Sequence, residues 1–167
     1  MISIIQHPNE VLRQTAKEVP ADFFGSETLN DILKQMANAL ADTPDGVALA
    51  CPQIGLSWRI FTVSKKIFAD EKNPPTKDLV FINPTLVKLS KKKTALDEGC
   101  LSVRFKYGKV KRHDKATILA YDETGEKFSW SGSGLMAQIF QHETDHLDGI
   151  LFIDKATDVA DFPPENQ

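Results

Sequence analysis

Gly132-Ser133-Gly134-Leu135-Met136-Ala137-Gln138-Ile139-Phe140-Gln141-His142-Glu143-Thr144-Asp145-His146-Leu147-Asp148-Gly149 is the stretch on which the fold turns. Its small opening residues end whatever precedes them, and Gly149 is the stop that helices take just past their last turn, so a helix is expected to run to about Asp148. Within it Leu135, Ile139, His142 and His146 recur at helical spacing on one stripe. A stripe that begins with apolar residues packs against a sheet, where unpaired imidazoles are costly. Two histidines on such a face need a shared partner.

The rest of the chain supplies the sheet. Leu29, Ile32, Leu33, Met36 and Leu40 follow Ser26 and Thr28 at helical spacing and end before Pro44 and Gly46, which predicts a first amphipathic helix. From Trp58 to about Tyr121 the pattern changes to β-rich runs, Arg59–Val63, Leu79–Ile82 and Ala116–Ala120, separated by Pro, Lys, Asp and Gly clusters. Asp122-Glu123-Thr124-Gly125 reads as a hairpin turn before Lys127–Ser131. The fold class is α+β, with mainly antiparallel sheets packed around a central helix that carries the two histidines. No repeat or linker divides residues 1–167, which form one domain; the segment 155–167, with Pro163-Pro164, is expected to be a short extended or frayed tail.

At 167 residues the chain can bury roughly 70% of its unfolded surface. A net charge of -3 excludes tight binding to a phosphate backbone, and Lys91-Lys92-Lys93 reads as a solvated hairpin tip, so no direct nucleic-acid partner is expected. Nothing approaches the length of a membrane span. With only Cys51 and Cys100 there is no disulfide framework, and the opening Met-Ile-Ser-Ile-Ile-Gln-His-Pro lacks a secretory pattern. A cytoplasmic monomer is the expectation, with organellar or viral origin left open.

His142-Glu143-Thr144-Asp145-His146 places two imidazoles four residues apart, their roots about 5–6 Å from one another. H-E-x-x-H suits two ligands on one cation, with the glutamate beside the bound water. A catalytic divalent ion takes three protein ligands and keeps one position open. Asp148 is too close in sequence to His146 to be the third, which leaves Cys100, His113 and His7. Cys100 sits in Asp97-Glu98-Gly99-Cys100-Leu101-Ser102, where Gly99 lets backbone approach a neighbour and a thiolate would suit a borderline-soft ion. Most free cysteines are instead buried small hydrophobes, and spacing alone does not decide.

Three separated segments, Gly46-Val47-Ala48-Leu49-Ala50-Cys51-Pro52-Gln53, Glu98-Gly99-Cys100-Leu101-Ser102 and Gln141-His142-Glu143-Thr144-Asp145-His146, together resemble the peptide deformylase family, as does His7-Pro8-Asn9-Glu10-Val11-Leu12-Arg13. The resemblance runs to about Asp154. It implies Cys100, His142 and His146 as ligands of one divalent metal per chain, Fe2+ foremost, with Zn2+, Ni2+ or Co2+ able to replace it. It implies Glu143 as the proton carrier, and the Gln53 amide and Leu101 backbone N–H as an oxyanion hole for the formyl oxygen. Glu98 and Arg112 would pair behind the cysteine; otherwise Arg112 is one more cation of Lys109–His113. Val47, Ala48, Leu96, Gly99, Leu135, Gln138 and Ile139 would line the substrate pocket. Formylated nascent peptides are the implied partners, losing formate.

The chain departs from that pattern in several places. Ala48 stands for a glycine and is tolerated in a β conformation but strained at positive φ. Cys51 stands for an alanine and reads as packing. Gln138 stands where the family has an aliphatic residue; in the pocket it would relax the preference for methionine, and otherwise it turns to solvent. A tail carrying Asp158, Asp161 and Glu165 replaces the C-terminal helix that longer members use at the ribosome, which weakens that partnership. Two other classes fit the helix motif: a binding module with a structural metal, and a metallopeptidase cutting internal bonds. Cys100 discriminates between these readings, while Glu143 and Gln53 have no use in a merely structural site.

Overall fold

The computed structural model describes residues 2–162. The first helix, α1 (Glu27–Ala41), starts where Ser26 accepts a hydrogen bond from the Leu29 N–H at 3.2 Å, and it buries Leu29, Ile32, Met36, Ala39 and Leu40. That stripe packs with Leu49, Cys51, Ile60 and Ile82. Cys51 is fully buried, and burial pushes its thiol up to about 12, so it is a packing residue.

Seven strands lie between the helices' N-termini: β1 (Ala48–Ala50), β2 (Ile60–Val63), β3 (Leu79–Leu89), β4 (Lys93–Cys100), β5 (Val103–His113), β6 (Lys115–Tyr121) and β7 (Lys127–Ser133). The second helix is α2 (Leu135–Leu147), and β8 (Thr157–Asp161) follows it. All pairings within the sheets are antiparallel, in the orders β1-β2-β3-β6-β7 and β4-β5-β8. The α+β expectation with antiparallel sheets is met. β3 runs past the expected Ile82 through Asn83-Pro84, where the register against β6 shifts by one residue. Asn83 has φ +49, and its amide bonds both the N–H and C=O of Val19.

The main core joins the larger sheet to α2. Phe61 and Phe81 stack with centroids 4.6 Å apart, and Phe140 of α2 meets Phe81 edge-on at 5.4 Å. α2 packs on β1, β3, β6 and β7 of one sheet and on β5 of the other. Gln141 fixes its middle, accepting from the His113 N–H and donating to the carbonyls of His113 and Ala137. Arg59 fixes its end, bonding the Leu147 carbonyl and Asp148. Gly149 has φ +73 and lies so close to the Arg13 carbonyl that a Cβ would come within 2.5 Å of its oxygen. The stop signal is therefore also a packing requirement.

The segment expected to be extended or frayed includes an extended strand, Thr157–Asp161, which pairs with β5; Pro163–Gln167 lie outside the described residues. Two expectations need correction. Leu135 does not face the sheet: it is 50% exposed as the first residue of α2, ahead of buried Ala137. Lys91–Lys93 do not cap a hairpin of one sheet but lead from β3 in one sheet to β4 in the other.

Candidate active site

β4 ends at Cys100 because the chain turns back at Leu101-Ser102 into β5, which leaves the thiol at the strand's end facing α2. The ligand atoms of Cys100, His142 and His146 lie within 4.8 Å of one another, the one such triad among the described residues. Sγ of Cys100 is 3.2 Å from Nε2 of His146, and the two imidazole centroids are 4.9 Å apart. His113 Nδ1 bonds the Ser90 carbonyl instead, and the backbone N–H of His7 donates to the Ser102 carbonyl.

The donor set fits a divalent cation. Burial alone would raise the Cys100 thiol, but the two imidazoles overcome it and hold the thiol well below its usual range, which favours the thiolate form. Burial would likewise lower His142, yet Cys100 and Glu98 hold it well above an ordinary histidine. A thiolate and two carboxylates around two rings thus create a demand for positive charge. His146 Nδ1 is buried and unpartnered, as is Oε2 of Glu143.

Behind the triad stands a buried charge network. Arg112, 3% exposed, donates through Nε and Nη2 to the two oxygens of Glu98, at 3.0 and 2.5 Å, and through Nη1 to Asp145 at 2.6 Å. Asp145 also accepts from Lys155. Oε1 of Glu98 meets Nδ1 of His142 at 2.6 Å, which fixes that ring with Nε2 toward Cys100. Burial would raise the Glu98 carboxyl; His142 and Arg112 bring it down to about 2. The expected Glu98–Arg112 pair is present. Asp145 and Lys155 extend it, and no sequence signal pointed to them beyond Asp145 lying in the histidine motif.

Glu143 is 4% exposed, and burial raises its carboxyl. Gln53 accepts the Ala50 N–H at Oε1, at 2.8 Å, which turns Nε2 toward Ser102 Oγ at 3.0 Å and Cys100 Sγ at 3.6 Å. Leu101 follows the thiolate directly and packs over Gly46, where a Cβ would lie 2.9 Å from it. Ala48 lies within β1 and is not among the positive-φ residues, so its methyl causes no strain.

A cleft of about 340 Å³ opens in front of the triad. Val47, Ala48, Gln53, Gly99, Cys100, Leu101, Leu135, Gln138, Ile139, His142 and Glu143 line it, as does Glu98, which was expected behind the cysteine with Arg112; His146 and Arg112 are not in the lining. Leu96 does not line it. Gln138 turns inward rather than to solvent, its amide crossing to the Asp97 carbonyl at 3.0 Å and to Glu98 at 3.3 Å, and Leu96 falls just beyond that bridge opposite Val110. Asp45, Gly46, Asp97 and Arg104–Tyr107 complete the lining, and sequence reasoning had not placed them in it.

A buried carboxylate beside a thiolate and two imidazoles, reached by an open cleft, defines a metal-dependent hydrolase. Residues 1–161 match the family model described as polypeptide deformylase. The chain is 38% identical to the peptide deformylase of Desulforudis audaxviator over 95% of its own length and 96% of that protein. It is 40% identical to the chloroplastic/mitochondrial peptide deformylase 1B of Arabidopsis thaliana, covering 94% of this chain and 55% of that one. Among solved structures it resembles a peptide deformylase from Legionella pneumophila, with a TM-score of 0.82 and 36% identity over 93% of this chain and 86% of the other. A peptide deformylase from Acinetobacter baumannii with Met-Ala-Ser bound gives 0.82 and 28% over 92% and 97%. The chain belongs to the peptide deformylase family, enzymes that remove the N-terminal formyl group from nascent peptides. No described helix is long and apolar enough to cross a membrane.

Proposed function

We propose that Cys100, His142 and His146 hold one divalent ion, Fe2+ in the cell with Zn2+, Ni2+ or Co2+ as substitutes, and that Glu143 carries the proton in deformylation. The observation that carries this reading is the convergence of three ligand atoms within 4.8 Å beside a buried carboxylate whose Oε2 has no partner. When bound, the ion supplies positive charge that acidifies water and polarises the formyl oxygen.

The protein's own groups do the rest. Glu143, made more basic by burial, takes a proton from the attacking water and returns it to the peptide nitrogen as the C–N bond breaks, releasing formate. Gln53 meets the charge growing on the formyl oxygen by exchanging its long contact with Sγ for that oxygen, while Ala50 holds the amide in place. The Leu101 N–H is the second donor. Glu98, braced by Arg112, keeps His142 in one tautomer and one orientation. Val47, Leu135 and Ile139 take the first side chain, with Gln138 adding an amide to that pocket. Bound Met-Ala-Ser in the Acinetobacter baumannii relative is the kind of product this chemistry leaves.

The enzyme acts as one cytoplasmic domain and a monomer, on peptides leaving the ribosome.

The test is formate release from formyl-Met-Ala-Ser by protein loaded anaerobically with Fe2+ or Ni2+, beside Glu143→Ala. Release that requires metal and disappears in the variant supports the assignment; a fully loaded but silent wild type rejects it in favour of a non-catalytic metal-stapled module.

A further inference from the structure

The chain crosses between its two sheets side by side at one edge of the molecule. From β3 to β4 it passes through 90–92, and from β5 to β6 through Asp114. Hydrogen bonds lace the two crossings together. The Ser90 N–H donates to the Lys115 carbonyl at 2.9 Å, the Asp114 N–H to the Lys92 carbonyl at 3.1 Å, and the Lys115 N–H to Ser90 Oγ at 3.0 Å. His113 Nδ1 adds its bond to the Ser90 carbonyl. The result is a ridge held by main chain from both sides.

What the ridge displays is lysine. Lys88, Lys91, Lys92, Lys93, Lys111 and Lys115 are all exposed, and of these only Lys92 is paired, with Asp114 at 3.1 Å. Lys88 lies opposite Thr117, two residues along the same face from Lys115, and Lys93 lies opposite His113, two residues along the same face from Lys111. A hollow of about 370 Å³ beside Lys88 and Lys115 is lined by the hydroxyls of Ser90, Thr117, Ser131 and Ser133. Asp114 is the one carboxylate in 86–96 and 109–121.

The net charge of -3 argues against a phosphate-backbone partner only as an average, and the fold sorts that charge. Five unpaired cations stand on the ridge and the rest of the chain is correspondingly more acidic, so a polyanion is drawn to this edge and repelled elsewhere. Hydroxyls among the ammonium groups both donate to phosphate and accept from a ribose 2′-OH, which suits RNA. The lysines are spread over two sheets and the crossing between them, a path that a flexible single strand follows and a stiff duplex does not. The exposed rings, Phe105, Tyr107 and Phe162, lie toward the other end of the β4–β5 hairpin, so the ridge contacts backbone and stacks on no base. Lys93 and Cys100 are the two ends of β4, about 23 Å apart at about 3.3 Å per residue, which leaves the cleft open beside a bound strand.

We propose that the ridge of Lys88, Lys91, Lys93, Lys111 and Lys115 docks the phosphate backbone of single-stranded RNA without regard to base sequence.

The test is anisotropy of a short labelled single-stranded RNA of mixed sequence, titrated with the protein at about 50 and about 200 mM salt. Five phosphate contacts on a single strand predict affinity about a hundredfold weaker at the higher salt. Lys91→Gln/Lys93→Gln/Lys115→Gln is expected to lose more than about tenfold at the lower salt and to roughly halve the salt slope. Lys17→Gln/Lys34→Gln/Lys72→Gln changes net charge equally at exposed positions off the ridge and is expected to stay within about twofold of wild type. Equal melting points for the three proteins establish that the substitutions leave the fold intact. Absence of wild-type binding at the lower salt, an equal loss in the off-ridge variant, or DNA of the same sequence bound as tightly overturns the proposal. Polyglutamate that displaces the RNA at equal charge concentration overturns it in favour of an acidic protein partner.

Discussion

Replacing Arg112 by Met tests the charge network behind the metal ligands. The guanidinium is 3% exposed and donates two bonds to Glu98, itself 5% exposed, and one to Asp145. Methionine fills similar volume without charge, so the main loss is a partner for a carboxylate that is held ionised, at about 2, deep in the protein. Breaking a buried pair by removing one member costs about 3–5 kcal/mol, against a total stability of about 5–15 kcal/mol for a domain. At about 2–4 °C per kcal/mol in a chain of this size, the melting point should fall by roughly 6–20 °C. The companion Glu98→Gln removes the stranded charge, so the double variant should be markedly more stable than Arg112→Met alone. Urea unfolding of chelator-treated protein keeps metal affinity out of the measurement. Costs that simply add in the double variant would refute the reasoning, because they would mean that the ion pair contributes no coupling.

Glu143→Gln should lose about 10²–10⁴ in kcat while binding metal normally, read by formate release and metal content; near wild-type turnover would remove Glu143 from the mechanism. Burial raises the Glu143 carboxyl, so its stability contribution is complete below the unfolded value of 4.5 and is lost as pH rises through the folded one. Metal-free Glu143→Gln should therefore match wild type near pH 4 and exceed it at pH 7, and equal unfolding midpoints at both pH values would contradict that. Gln53→Leu should cost about 10²–10³ in kcat, with little change in metal loading, if its amide serves the formyl oxygen. For Gln138, a wild type preferring formyl-Met over polar formyl-amino acids no less than Gln138→Leu does would rule out a polar pocket.

The helix that carries the chemistry was legible because its stop signals and stripe are local: Gly134 and Gly149 bracket it, and His142 and His146 share a face by spacing alone. The hairpin of β4 and β5 was not. In β4 the exposed residues are Lys93, Thr94, Ala95 and Asp97 and the one buried residue is Glu98, so Lys93–Cys100 has no apolar alternation to read, and only pairing with β5 makes it a strand. Cys100 had no spacing relation to the histidines and came from resemblance to a family; the contact at 3.2 Å is tertiary. Gln138 could be placed on the cleft side but not given partners, since these lie on a strand 40 residues away. The Arg104–Tyr107 bulge was invisible because a register shift belongs to two strands at once.

Gln141 clasps β5 through two hydrogen bonds to His113, and Arg59 ties off the end of α2, neither using the metal. The cage is thus assembled before its guest arrives. Loading becomes a simple exchange with whatever the surrounding pool supplies, so a chelator should empty the protein reversibly, and which ion it carries becomes a record of its supply.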